Sequence, residues 1–222
     1  MPEVTQRAQA AVLAEVATVN RDQQDSGPLE RYFDPERIYA CALFNSIDPD
    51  AAACPEVTIS DLLAVSTLNI NLEPKQLRRF LTEEPKQTAV NKALAALPLN
   101  VALTELSTGQ QDTAQLLVQA RTLYDELRRT PSPSSNRWVF AAKMCARKRP
   151  ELMPVRDTVV CKFLADSAKL RSGEAMGNFV VDFQVFAFLF SNEVLRNNVT
   201  TLKNRLRERY GPVMDKVPAL RS

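Results

Sequence analysis

An all-α fold is what this 222-residue sequence predicts, and three observations lead there. The chain holds 5 glycines against 14 prolines, so few positions suit the positive φ that tight hairpins require. Most prolines fall between apolar-periodic segments, where they punctuate helices. The apolar residues recur mainly at helical spacing, which gives an array of about eight to ten helices.

The elements follow in order. Residues 3–19 place Val4, Ala8, Ala11, Val12, Val16 and Val19 on one side of an amphipathic helix. Gln23 to Pro28 reads as a linker. Residues 35–44 form a short helix, with Asp34 as N-cap and Pro35 at the first helical position. Residues 48–56 are a loop, and 58–67 a helix opened by a Ser/Thr cap. Leu68 to Leu72 (LNINL) alternates and predicts a short extended segment. Pro74 opens a helix through Leu81, and another covers 85–97 until Pro98 stops it. The stretch from Leu99 to Leu103 fits no single element. Helices follow at 111–129, 137–148, 157–170, 174–190 and 192–210, the last stopped by Gly211-Pro212. Thr130 to Asn136 (TPSPSSN) is a tight turn. The expected organisation is one helical domain over 1–222, with 1–20 an N-terminal helix. A division into two lobes, about 30–110 and 111–210, is the alternative.

Composition excludes several kinds of chemistry. There is no histidine, so Ser-His-Asp and Cys-His catalysis and His-ligated zinc are ruled out. Cys41, Cys54, Cys145 and Cys161 lack the close pairing of a zinc clasp and fit small buried hydrophobes in a reducing cytoplasm. Asp48, Asp50 and Glu56 do not match a calcium loop. No metal or cofactor is expected. The N-terminus lacks the apolar core of a signal peptide, and no apolar run reaches the roughly 18 residues of a membrane span. Net charge is +2, so any electrostatic function must come from local distribution. A soluble cytoplasmic protein is the expectation.

That distribution is uneven. Arg137, Lys143, Arg147, Lys148 and Arg149 occupy one stretch that has no acidic residue. On a helix, Lys143 and Arg147 share a face, while Trp138, Ala141, Ala142 and Cys145 point the other way. Three accounts stay open: complementation of the helix dipole, phosphate binding, or a buried ion-pair network with Glu151 or Asp157. Asp157, after a proline-rich connection, suits a helix N-cap or a catalytic carboxylate. Trp138 suits the core or a base-stacking platform. A second basic face, with Arg196, Lys203, Arg205, Arg207 and Arg209, suits solvation or phosphate contact.

The string RWVFAAKMCARKRPELMPVRDTVV, from Arg137 to Val160, resembles the signature of an uncharacterised bacterial family, AxKLLARKRP followed by PVxDxVV. SDLLAVSTLNI at 60–70 is a weaker match to the same family. More distantly, the order of helix, turn, helix, Pro-Val-x-Asp is similar to the helix-hairpin-helix DNA glycosylases. That resemblance implies a multi-helix orthogonal array with a helix-hairpin-helix-like core over 111–170. It implies duplex DNA as partner and a DNA N-glycosylase-like hydrolase, or a catalytically degenerate relative. It also implies Asp157 as the catalytic carboxylate, with Trp138 stacking on a base. Phosphate contacts would come from Lys143, Arg147, Lys148, Arg149, Ser134, Ser135 and Asn136. The chain departs from the pattern in three places. Its turn has no glycine, Val139 stands where bifunctional glycosylases carry a Schiff-base lysine, and Arg156 is inserted before the aspartate. The rival expectation is a non-enzymatic interaction or scaffold protein that uses the Arg147–Arg156 stretch as an internal ion-pair network.

Overall fold

The computed structural model describes residues 6, 9–14, 17, 43–103, 113–131, 137–167 and 179–211. Among them are eight α-helices and no strand, so the all-α expectation holds. Residues 9–14 are helical, and Val12 and Leu13 pack on the core. Most of the helix expected over 35–44, and the linker at 23–28, lie outside the described residues.

The helices are α1 (Ile59–Ser66), α2 (Pro74–Leu81), α3 (Glu84–Ala96), α4 (Thr113–Arg129), α5 (Trp138–Lys148), α6 (Thr158–Ser167), α7 (Phe179–Ser191) and α8 (Glu193–Tyr210). Local chemistry sets their ends. Thr58 caps α1 through a capping box with Asp61: Asp61 N–H donates to Thr58 Oγ1 at 3.2 Å, and Thr58 N–H donates back to Asp61 Oδ2 at 2.9 Å. Prolines occupy the first turns of α2 and α3, where a missing N–H removes no helical bond. Asn192 caps α8 by accepting from Leu195 N–H. Gly211 ends α8 at φ 57, a conformation open to glycine without a Cβ clash.

Two expectations are corrected. The 48–56 loop contains a 3-10 helix, Pro49–Ala53: Pro49 fixes φ for a first turn, and the alanines after it allow the tight winding. The LNINL segment is not a strand. It leaves α1 through a turn in which Asn69 takes φ 61, which asparagine tolerates, and among the described residues no strand is present to pair with it.

One apolar core runs from Phe44 to Leu195. Phe80 meets Phe140 at 5.3 Å between ring centroids, and Tyr124 meets Phe179 at 4.9 Å. Helix α5 lies at the centre, against α4, α1 and the 3-10 helix. Every residue from Phe140 to Arg149 is buried, so α5 has no solvated cationic wall.

Candidate functional site

The basic string sits at the buried end of α5, where two of three successive cations converge on Asp61 and the third turns to α3. Arg147 turns toward α1 and the segment before it. Its Nε donates to Asp61 Oδ1 at 3.2 Å and its Nη1 to the Phe44 carbonyl at 2.9 Å. Its Nη2 donates to the carbonyls of Ile47 and Asp48. Asp48 stands at φ 45, in the left-handed region that aspartate tolerates.

Lys148 has no solvent exposure. Its ammonium donates to Asp61 Oδ2 at 3.0 Å, to the Glu56 carbonyl at 2.9 Å and to the Ala51 carbonyl. Three donors meet three acceptors, which satisfies the group completely. Asp61 is likewise unexposed. It serves two cations and the α1 capping box at once.

Arg149 turns to α3. It donates to the carbonyls of Leu94 and Leu97, at the C-terminal end of α3, where helix carbonyls lack the usual bond from four residues on. Burial pulls its pKa below the usual guanidinium value.

Lys143, one turn earlier, donates to the Leu68 carbonyl at 2.8 Å, just past the end of α1. Its ammonium lies 4.0 Å from Asp157 Oδ2. Burial lowers the Lys143 pKa, and the Asp157 charge partly offsets that. Asp157 Oδ1 accepts from Val160 N–H at 2.9 Å, so the carboxylate caps α6. Its side chain is 31% exposed. Trp138 is partly buried and packs on the core.

A second buried pair lies nearby. Arg156 donates through Nε to Asp182 Oδ2 at 3.1 Å, and through Nη2 to the same oxygen. Its guanidinium carbon stands 5.4 Å from the Tyr124 ring centroid and 5.5 Å from that of Phe179. Its Nη1 has no hydrogen-bond acceptor, and the two π-faces supply attraction in place of one. Burial raises the Asp182 pKa against the pull of Arg156. Burial also pushes the thiols of Cys145 and Cys161 up to about 12, which makes both poor nucleophiles.

A cavity of about 230 Å³ opens at the N-terminal end of α5, lined there by Pro131 and Arg137. Ile70, Leu72, Pro131, Val139 and Phe140 give it apolar walls, and Asn69, Asn71, Gln76 and Arg137 give it polar ones. Neither Asp157 nor Lys143 lines it. Val139, which stands at the lysine position of the resemblance, does. Ser134, Ser135 and Asn136 lie outside the described residues. The structure therefore brings Lys143 to Asp157, and joins Arg147 and Lys148 to Asp61. It does not bring Asp157 into the cavity.

Asp61 and Asp182 were not among the expected site residues. The available signal was one acid inside each of two otherwise apolar helices, ISDLLAVS and FVVDFQVF. Such an acid needs a buried cation.

The model of a family of unknown function matches residues 26–221, which is most of the chain. The chain belongs to DUF6308, a family of unknown function. The resemblance carried by Arg137 to Val160 to an uncharacterised domain is thereby met at the level of family. No curated protein and no solved structure matches the chain. Among the described residues no group of His, Cys, Asp and Glu is placed to hold a metal ion, and no helix is long and apolar enough to cross a membrane.

Proposed function

We propose that this DUF6308 protein is a non-enzymatic interaction or scaffold protein, in which the basic string braces the fold from within. The observation that carries this proposal is the unexposed Lys148 ammonium, held by Asp61 and two carbonyls. A charge-assisted hydrogen bond to a phosphate contributes about 1.5–3 kcal/mol. Breaking a buried ion pair costs about 3–5 kcal/mol. Drawing Lys148 or Arg147 out to a DNA backbone therefore loses more than it gains. The setting proposed is a bacterial cytoplasm, where thiols stay reduced.

Anisotropy of a labelled duplex, titrated from about 50 mM salt upward, tests the proposal. The expected result is no binding that depends on Arg147, Lys148 or Arg149. The opposite result would be binding whose log–log salt slope falls by about one when Lys148 becomes Gln, with the thermal midpoint unchanged.

A second reading rests on a separate observation, the 4.0 Å approach of Lys143 to the partly exposed Asp157 at the start of α6. It keeps the resemblance to helix-hairpin-helix glycosylases, with duplex DNA as partner and Asp157 as catalytic carboxylate. Trp138 would stack on a base, and Lys143, Ser134, Ser135 and Asn136 would contact phosphate together with the 147–149 cations. Its test is release of a damaged base from an oligonucleotide panel. Wild type should release a base and Asp157→Asn should not; a wild-type protein inert on every lesion removes this reading.

A further inference from the structure

We propose that residues 43–57 form a latched strap, a unit that lifts off α1 and α5 as a whole while the helices stay folded, with Arg147 and Lys148 as its latch. This motion goes beyond the scaffold proposal and does not depend on it.

The hydrogen bonds define the unit. Inside the strap they are local. Ser46 and Ile47 N–H donate to the Leu43 carbonyl, Ala51 N–H to that of Asp48, and Cys54 N–H to that of Ala51. Among the described residues, five bonds tie the strap to another element, and two side chains make them all. Arg147 donates to the carbonyls of Phe44, Ile47 and Asp48, and Lys148 to those of Ala51 and Glu56. The apolar hold is short: Phe44, Ala51 and Val57 are buried, and Ile47 packs partly on the core. Asp48 adds a load. It is a non-glycine residue at φ 45, a conformation with a strain that lifting relaxes.

The position of the counter-charge lets the latch open. Asp61 belongs to α1 and not to the strap. Its two oxygens keep Arg147 Nε and Lys148 Nζ when the strap leaves. Water then takes the donors that the five carbonyls release. No opposite charges are separated, so the heavy penalty of breaking a buried ion pair does not arise. Thr58 is the hinge: its own backbone is extended, and its capping box with Asp61 keeps α1 started. Opening thus admits water to the Arg147–Asp61–Lys148 cluster without taking it apart.

Native-state amide hydrogen exchange of the full chain, read residue by residue, tests the strap. The Ser46, Ile47, Ala51 and Cys54 amides are expected to exchange through one shared opening. That opening should be at least about tenfold more frequent than the one that frees the Leu123 and Leu127 amides of α4. Three variants separate local lifting from global unfolding. Ala120→Gly weakens α4 from within and should speed Leu123 and Leu127 about fivefold, with the four strap amides unchanged. Asp48→Gly fits φ 45 without strain and should slow all four strap amides about threefold. Lys148→Met, which leaves Arg147 on Asp61, should speed all four at least about tenfold. Strap amides that follow α4 in Ala120→Gly overturn the proposal, as do four unequal openings in wild type. Wild-type strap exchange in Lys148→Met overturns it too. If Lys148→Met does not fold, the other two variants decide: strap exchange unslowed by Asp48→Gly, or sped by Ala120→Gly, sinks the idea.

Discussion

At the scale of single residues, Asp61 holds the most. One carboxylate takes Arg147 on one oxygen and Lys148 on the other, and it closes the α1 capping box as well. Removing it strands two cations away from water. Asp61→Ala is expected to lower the unfolding free energy by about 3–5 kcal/mol, measured by urea denaturation. A loss below about 1 kcal/mol would mean that carbonyl oxygens alone hold the two cations. The cations themselves stand out in the sequence as a run with no acid inside it. Their partner does not, because it lies 86 residues from Arg147 and local spacing carries no information about a contact so distant. The expected partners, Glu151 and Asp157, were the nearest acids in sequence. In the fold Asp157 does pair with Lys143, while Arg147 and Lys148 go to Asp61 and Arg156 to Asp182.

At the scale of elements, the helices were the most legible part. Caps and prolines are local signals, and α1, α2, α3, α5 and α8 start within a residue or two of where those signals put them. The 68–72 segment was less legible. Its alternation looks like a strand, but a strand needs a partner, and period alone cannot supply one. Asp157 shows how an element-scale role can be tested separately from chemistry. As the cap of α6 it accepts one backbone N–H. Asp157→Ala should cost about 1 kcal/mol, while Asp157→Asn, an equally good cap, should cost only a few tenths. Thermal melts of the two variants check this. Equal losses would place the contribution in the charge near Lys143 instead of in the cap.

At the scale of the whole molecule, the scarcity of glycine has a structural answer. Helices commonly end on a left-handed glycine that lets the amides after it satisfy the last carbonyls. Here, cations from other elements perform that service. Lys143 does it past the end of α1, Arg149 at the end of α3, Arg79 past the end of α4, and Arg196 at the end of α7. The sequence showed the low glycine count and the surplus of local positive charge, but not that one compensates for the other.

Burial also sets the response of the whole fold to alkali. The Cys145 and Cys161 thiols rise from 9.0 to about 12, and the Tyr124 phenol from 10.0 to about 12. Above pH 9 the unfolded chain sheds these protons first, so each thiol's contribution is complete below pH 9 and is lost as pH climbs toward 12. The slope approaches about 1.4 kcal/mol per pH unit for each group. Lys143 acts in the opposite sense: its pKa is lowered from 10.5, so its contribution grows as pH rises through the folded value toward 10.5. The three acids outweigh it. Denaturation midpoints should fall steadily above pH 9, and a flat profile between pH 9 and 12 would contradict this.

The bonds from Arg147 and Lys148 back to residues 44–61 span 86 to 103 positions of chain. A ribosome adds about 5–20 residues per second. The segment around Phe44, Ala51 and Asp61 is therefore made roughly 5–20 s before its cationic partners. During that interval Asp61 has water in place of Arg147 and Lys148, and α1 has only its own capping box. The segment from Phe44 to Asp61 matures late, on the arrival of two side chains, Arg147 and Lys148.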